Sequence, residues 1–135
     1  MMTENIQALV TYRLEQADES LEAASTLLVK KLIRPSINRA YYAMFYAVLA
    51  LLAQGKKETS KHSGAIALFD RDFVKQGVFK KDYSRWLHDA FDLRQRSDYA
   101  AEYHASKEDA EITLKNAETF VDSVKKVLSK ELQLS

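Results

Sequence analysis

The stretch PSINRAYYAMFYAVLALLAQG, residues 35–55, decides the fold. Ile37, Ala40, Tyr41, Met44, Phe45, Val48, Leu49 and Leu52 recur at steps of three and four, the spacing of one buried helix face. Arg39, Tyr42 and Tyr46 stand at i, i+3 and i+7 on another side. Both sides are expected to be covered, which makes this a central helix. Pro35 suits the first turn, where its missing N–H costs nothing, and Gly55 is the expected C′ residue. The apolar run from Ala40 to Ala53 is about 14 residues, too short to span a bilayer.

Upstream, Ile6, Leu9, Val10, Leu14, Ala17, Leu21, Ala24 and Leu28 predict a long amphipathic helix that ends near Lys30 and Lys31, where cations suit the helix dipole. Downstream, 56–61 is a polar, basic connection. A short helix is expected from about Ser63 to Val74, burying Ile66, Ala67 and Phe69, with Gly77 at its exit. Asp82 or Ser84 is the expected cap of a fourth helix that runs to about Tyr99, with Tyr83, Leu87, Ala90 and Arg94 on one stripe and Trp86 and Leu93 beside it. Ser106 and Asp109 read as a capping box opening a last helix that carries Ala110, Leu114, Ala117, Val121, Val124 and Leu128. The expected architecture is all-α: an antiparallel bundle of four long helices plus one short helix, in one domain over residues 1–135 with its core at about 5–128.

Composition agrees. With 3 Gly and 1 Pro in 135 residues there is too little turn chemistry for an all-β fold. The absence of cysteine excludes disulfides and thiolate metal sites and suits a reducing compartment. MMTENIQALV lacks the basic and apolar regions of a secretory signal, so a cytoplasmic protein is expected, with no membrane partner. The net charge of +1 hides an uneven spread: −4 over residues 1–29, +8 over 30–96 and −3 over 97–135. A basic middle between acidic ends suits a phosphate-bearing partner or self-association; solvated helix faces produce the same bias.

Candidate chemistry centres on Leu93-Arg94-Gln95-Arg96-Ser97-Asp98-Tyr99. Arg94 continues a stripe expected to be buried, and Asp98 lies one turn later on the same face. A buried guanidinium must be paired, so the pair is either structural, joined by Tyr42 or Tyr46, or a cleft group whose fork faces phosphate. His62 lies where a turn enters a helix, at Lys61-His62-Ser63-Gly64, a place that favours anions as well as ordinary capping. His88 and Asp92 suit an exposed i,i+4 pair, and His62, His88 and His104 form no metal-ligand spacing. No phosphate loop, dinucleotide glycine motif or nucleophile elbow is present, and neither a metal nor a cofactor is expected.

Three segments together resemble the HEPN family: Asn38-Arg39-Ala40-Tyr41-Tyr42-Ala43-Met44-Phe45-Tyr46, Lys61-His62-Ser63-Gly64 with Phe69 and Phe73-Val74, and the Leu93–Tyr99 segment. The resemblance implies a helical bundle that dimerises, with fourth-helix arginines of both subunits at a shared cleft. It also implies association with RNA or nucleotide and pairing with a minimal nucleotidyltransferase in a toxin–antitoxin arrangement. Arg39, Tyr42, Tyr46, His62, Asp98 and Tyr99 become the expected ligand-binding residues. Many members are metal-independent endoribonucleases that carry a His separated from the motif Arg by four to six intervening residues. Here the positions counted from Arg94 hold Tyr99, Ala100 and Ala101, and those from Arg96 hold Ala101, Glu102 and Tyr103. His104 falls just outside the window, which leaves Arg94, Arg96 and His104 as the candidate catalytic set. The alternatives are therefore a phosphate-binding partner protein, a ribonuclease toxin and a purely structural homodimer.

Overall fold

The computed structural model describes residues 2–59 and 61–134, with side chains described over 4–59 and 61–130. Five α-helices follow one another: α1 Met2–Val29, α2 Ile33–Gln54, α3 His62–Phe69, α4 Lys81–Tyr99 and α5 Lys107–Leu134. A π-helical turn, Asp70–Val74, extends α3, and no strand occurs among the described residues. Helix α2 touches all four other helices, as expected of the central element. Among the described residues no helix is long and apolar enough to cross a membrane.

Small residues let α1 and α2 approach closely. Ala17 and Ala24 of α1 and Ala40, Ala43, Ala47 and Ala50 of α2 are fully buried. Within this contact Ser36 Oγ donates to the Ala24 carbonyl at 2.8 Å, satisfying a hydroxyl that would otherwise be stranded. Elsewhere in the core an aromatic cluster joins Phe69 of α3, the loop residue Phe79, Tyr83 of α4 and Phe120 of α5. Tyr83 Oη lies 2.7 Å from Ser123 Oγ, so its polar tip is satisfied too.

Chain reversals repeat one device. At the end of α1, Lys31 has φ 62, and Lys31 N and Leu32 N donate to the Leu28 and Leu27 carbonyls, a Schellman closure. The end of α2 does the same with Lys56 at φ 59, whose N–H reaches Ala53 O, while Lys57 N reaches Leu52 O. Gly55 is thus not the C′ residue expected from the sequence; it has φ −85, and Lys56 takes the left-handed position. Only the third such turn, after the π-helical segment, places a glycine there, Gly77 at φ 80.

Three further expectations are corrected. Ala67 faces solvent, and α3 instead buries Ala65, Ile66 and Phe69. Helix α4 begins at Lys81 with no side-chain cap, so neither Asp82 nor Ser84 is the cap; Asp82 sits in the first turn, where its charge suits the dipole. His88 Nε2 meets Asp70 Oδ2 of the π-helical turn at 2.7 Å rather than pairing with Asp92. The capping box at α5 forms as expected: Asp109 N donates to Ser106 Oγ, and Ser106 N to Asp109 Oδ2, both at 3.0 Å.

Candidate functional site

One face of α2 presents Asn38, Tyr41, Tyr42 and Phe45, at i, i+3, i+4 and i+7. Helix α4 lays Arg94 and Asp98 against it, and the first residue of α3, His62, closes the third side.

The Arg94 side chain is only 14% exposed, and its guanidinium carbon lies 5.4 Å from the Tyr41 ring centre and 5.2 Å from that of Tyr42. The ring faces therefore carry much of its support. The expected Asp98 partner is present but loose: Nε to Oδ2 is 3.7 Å, beyond hydrogen-bond reach, and Nε has no hydrogen-bond partner among the described residues. Asp98 Oδ2 instead accepts from Asn38 Nδ2 at 3.3 Å. Asn38 Oδ1 accepts from Arg39 Nε at 3.1 Å and Nη2 at 2.9 Å, and the Arg39 guanidinium covers the Tyr42 ring at 4.7 Å. Two guanidinium groups thus share one carboxylate through an amide, and the cluster keeps an excess of positive charge.

His62 is gripped on two sides. Its Nδ1 lies 2.7 Å from the Tyr41 hydroxyl, and its ring stacks on Phe45 with centres 4.2 Å apart and planes 8° from parallel. Tyr42 meets the ring edge-on at 5.6 Å. Burial pushes the Tyr41 phenol pKa well above its ordinary value, against the pull of Arg94, so the phenol stays neutral. The His62 pKa is lowered from 6.5, chiefly by burial and further by the Arg94 charge.

This shift has a measurable consequence. The unfolded chain binds a proton at His62 more readily than the folded one, so the stability His62 contributes is complete above pH 6.5 and is lost as pH falls through its lowered folded value. Thermal unfolding followed from pH 8 to pH 5 is expected to show a decline that His62→Asn reduces. An unchanged decline in that variant would remove His62 as a cause.

Five of the expected ligand-binding residues, Arg39, Tyr42, Tyr46, His62 and Asp98, lie in or beside this cluster, Tyr46 at its edge with its ring 5.8 Å from that of Tyr42. The others separate from it. Tyr99 is 76% exposed, and with His104, Arg34, Ser97, Asp98 and Tyr103 it lines a neighbouring groove of about 460 Å³. Asp98 is common to both places, whereas Arg94 and Arg96 do not line that groove. Arg96 is exposed on another side of α4. Reading the sequence alone missed three contributors: the Asn38 amide link, the Tyr41 hydroxyl and the Phe45 platform. Tyr41 gave the best signal, because a tyrosine on a core stripe needs a partner for its hydroxyl.

A bundle with a signature central helix, an Arg-Asp fourth-helix pair and a His-bearing α3 entry defines a class of helical domain. The HEPN domain matches residues 10–127, and the chain belongs to the HEPN family. A Methanocaldococcus jannaschii protein named "putative toxin" is 39% identical over 129 residues, covering 96% of this chain and 92% of its own. A Thermotoga maritima "UPF0332 protein" is 34% identical over 122 residues, 90% of this chain and 92% of its own. A second M. jannaschii protein, also named "putative toxin", is 34% identical over 115 residues, 85% of this chain and 78% of its own.

Proposed function

We propose that this chain holds a phosphate-bearing ligand, RNA or nucleotide, over the Arg94 cluster, as the homodimeric, toxin-side member of a cytoplasmic pair with a minimal nucleotidyltransferase. The observation that carries this reading is the state of Arg94. Its guanidinium rests on two tyrosine rings with one carboxylate held off at 3.7 Å, so its Nε stays uncommitted among the described residues. Such a group suits a phosphate fork, since Arg matches phosphate oxygens with two parallel N–H donors. Arg39 adds a second charge, and the half-buried Tyr46 ring at the edge of the cluster offers a face on which a base can stack. The relatives named "putative toxin" support the toxin side of the pair.

The test is induction of the chain in cells, alone and together with a cognate minimal nucleotidyltransferase, with growth and RNA integrity followed. Growth arrest by the chain alone, relieved by the partner, supports the reading. Failure of the purified chain both to retain the partner and to bind RNA or nucleotide would overturn it. Ribonuclease activity is the competing reading, in which Arg94 or Arg96 stabilises the transition state and His104 carries the proton. It requires His104 to reach a phosphate held at Arg94, whereas His104 lies exposed in the adjoining groove.

A further inference from the structure

Beside the Arg94 cluster the seam between α1 and α2 opens into a shallow groove of about 330 Å³, at the small end of ligand sites. Gln16, Glu19, Ser20 and Ala23 of α1, at i, i+3, i+4 and i+7, line one wall, and Arg39 and Tyr46 of α2 line the other. The α2 wall joins the groove to the cluster. Arg39 covers the Tyr42 ring at 4.7 Å, and the Tyr46 ring lies 5.8 Å from that of Tyr42. The α1 wall is polar in a defined order. Arg13 Nη1 donates to Gln16 Oε1 at 2.9 Å, which occupies the amide oxygen and leaves the Gln16 NH2 group to donate elsewhere. The Glu19 carboxylate is exposed and has neither a hydrogen bond nor an ion pair among the described residues. Arg39, across the groove, turns its Nε and Nη2 to Asn38 instead. Resting on the reading that the Arg94 cluster holds a phosphate of single-stranded RNA, we propose that this groove is a nucleobase subsite selective for guanine.

The order of donors and acceptors selects the base. A carboxylate repels phosphate and accepts strongly from N–H groups, so Glu19 suits a base edge rather than the backbone. Guanine alone among the RNA bases carries two neighbouring N–H donors on its Watson–Crick edge, at N1 and N2, and they match the two oxygens of one carboxylate. Its O6, beside N1, then accepts from the Gln16 NH2 group. Adenine and cytosine each offer one amino group next to an unprotonated ring nitrogen, whose lone pair would face the second Glu19 oxygen. Uracil offers a single N–H between two carbonyls, with the same conflict. Reading single-stranded bases by this edge while stacking them on an aromatic ring is a common mode of RNA recognition, and the half-buried Tyr46 supplies the ring. Ser20, only 4% exposed, and Ala23 are small, so the wall behind the polar groups leaves room for a flat base. Gln16 and Glu19 stand one turn apart on a single helix, which fixes their spacing without help from a loop. Arg39 borders both places, so a nucleotide can lay its base in the groove while its phosphate lies toward Arg94.

The experiment measures binding of the full chain to short oligouridylates that differ in one central base, made with 2′-O-methyl ribose so that the strand stays intact. Wild type is expected to hold the guanine strand roughly 10- to 150-fold more tightly than the adenine strand, the range of hydrogen bonds to a charged group. The inosine strand, which lacks only the 2-amino group of guanine, should fall between them. Glu19→Gln is expected to bind the guanine strand no more tightly than the adenine strand, and because Glu19 is exposed the variant should fold as wild type does. Ala23→Leu fills the groove from the same wall and should remove the preference by a second route. Arg94→Met should weaken both strands by one common factor and keep their ratio. Equal binding of the guanine and adenine strands by wild type, a preference for another base, or a guanine preference that survives Glu19→Gln or Ala23→Leu overturns the guanine subsite while leaving phosphate binding intact. A wild type that retains no strand overturns the phosphate reading as well.

Discussion

Arg94→Met is expected to weaken binding of single-stranded RNA by roughly 10- to 150-fold, the loss of about 1.5–3 kcal/mol carried by charged hydrogen bonds to phosphate. The same variant should unfold within about 1 kcal/mol of wild type, because well-packed apolar replacements often tolerate loss of a buried ion pair. Two features make this split possible. Met retains most of the volume that packs on Tyr41 and Tyr42, and Asp98 keeps its hydrogen bond from Asn38 when the guanidinium is gone. Binding titrated over a range of salt should also lose about one unit of slope, the signature of one phosphate contact removed. Arg94→Ala is a less clean probe, since it opens a cavity beneath the rings. If Arg94→Met bound RNA, nucleotide and partner as wild type does, Arg94 would be a packing element, and the structural-homodimer reading would replace the one proposed.

Phe120→Ala should cost about 3–5 kcal/mol in stability, a large share of the total for a domain of this size. Phe120 is fully buried, with the rings of Phe69 and Tyr83 at 5.3 and 5.7 Å and that of Phe79 at 6.5 Å. It therefore ties α5 to α3, to the loop before α4 and to α4 itself, and truncation leaves a hole that rigid helices cannot fill. Urea unfolding with an unchanged slope and a much lower midpoint would show this. A cost below about 1 kcal/mol would mean that the cluster rearranges freely and does not anchor α3. The consequence reaches the site, because α3 carries His62 at its first residue.

Much of the fold was legible because its signals are local. The three- and four-residue apolar steps of α1, α2 and α5, the Ser106–Asp109 box and the central place of α2 all follow from periodicity and capping chemistry. The errors came where one local signal had competitors. Gly55 is permitted at C′, yet the helix continues one residue further and Lys56 accepts the left-handed conformation. Asp82 and Ser84 are good caps, yet α4 begins earlier, at Lys81. Ala67 is small enough to be neutral about burial, so the packing of α3 through Ile66 and Phe69 decided its exposure.

For the candidate site the division is sharper. The sequence by itself determined that Arg94 and Asp98 share a face, that Arg39, Tyr42 and Tyr46 share another, and that the histidine of the usual motif is displaced. The first two statements need only helical geometry, and the third follows from the resemblance to HEPN domains. Only the tertiary structure decided that Arg94 leans on tyrosine rings rather than on Asp98, that Asn38 links the two arginines through that carboxylate, and that His62 rather than His104 stands beside Arg94. The reason is physical. Contacts within one helix follow from a fixed rise and turn, whereas contacts between α2, α3 and α4 depend on how those helices cross, which side-chain volumes throughout the core determine together.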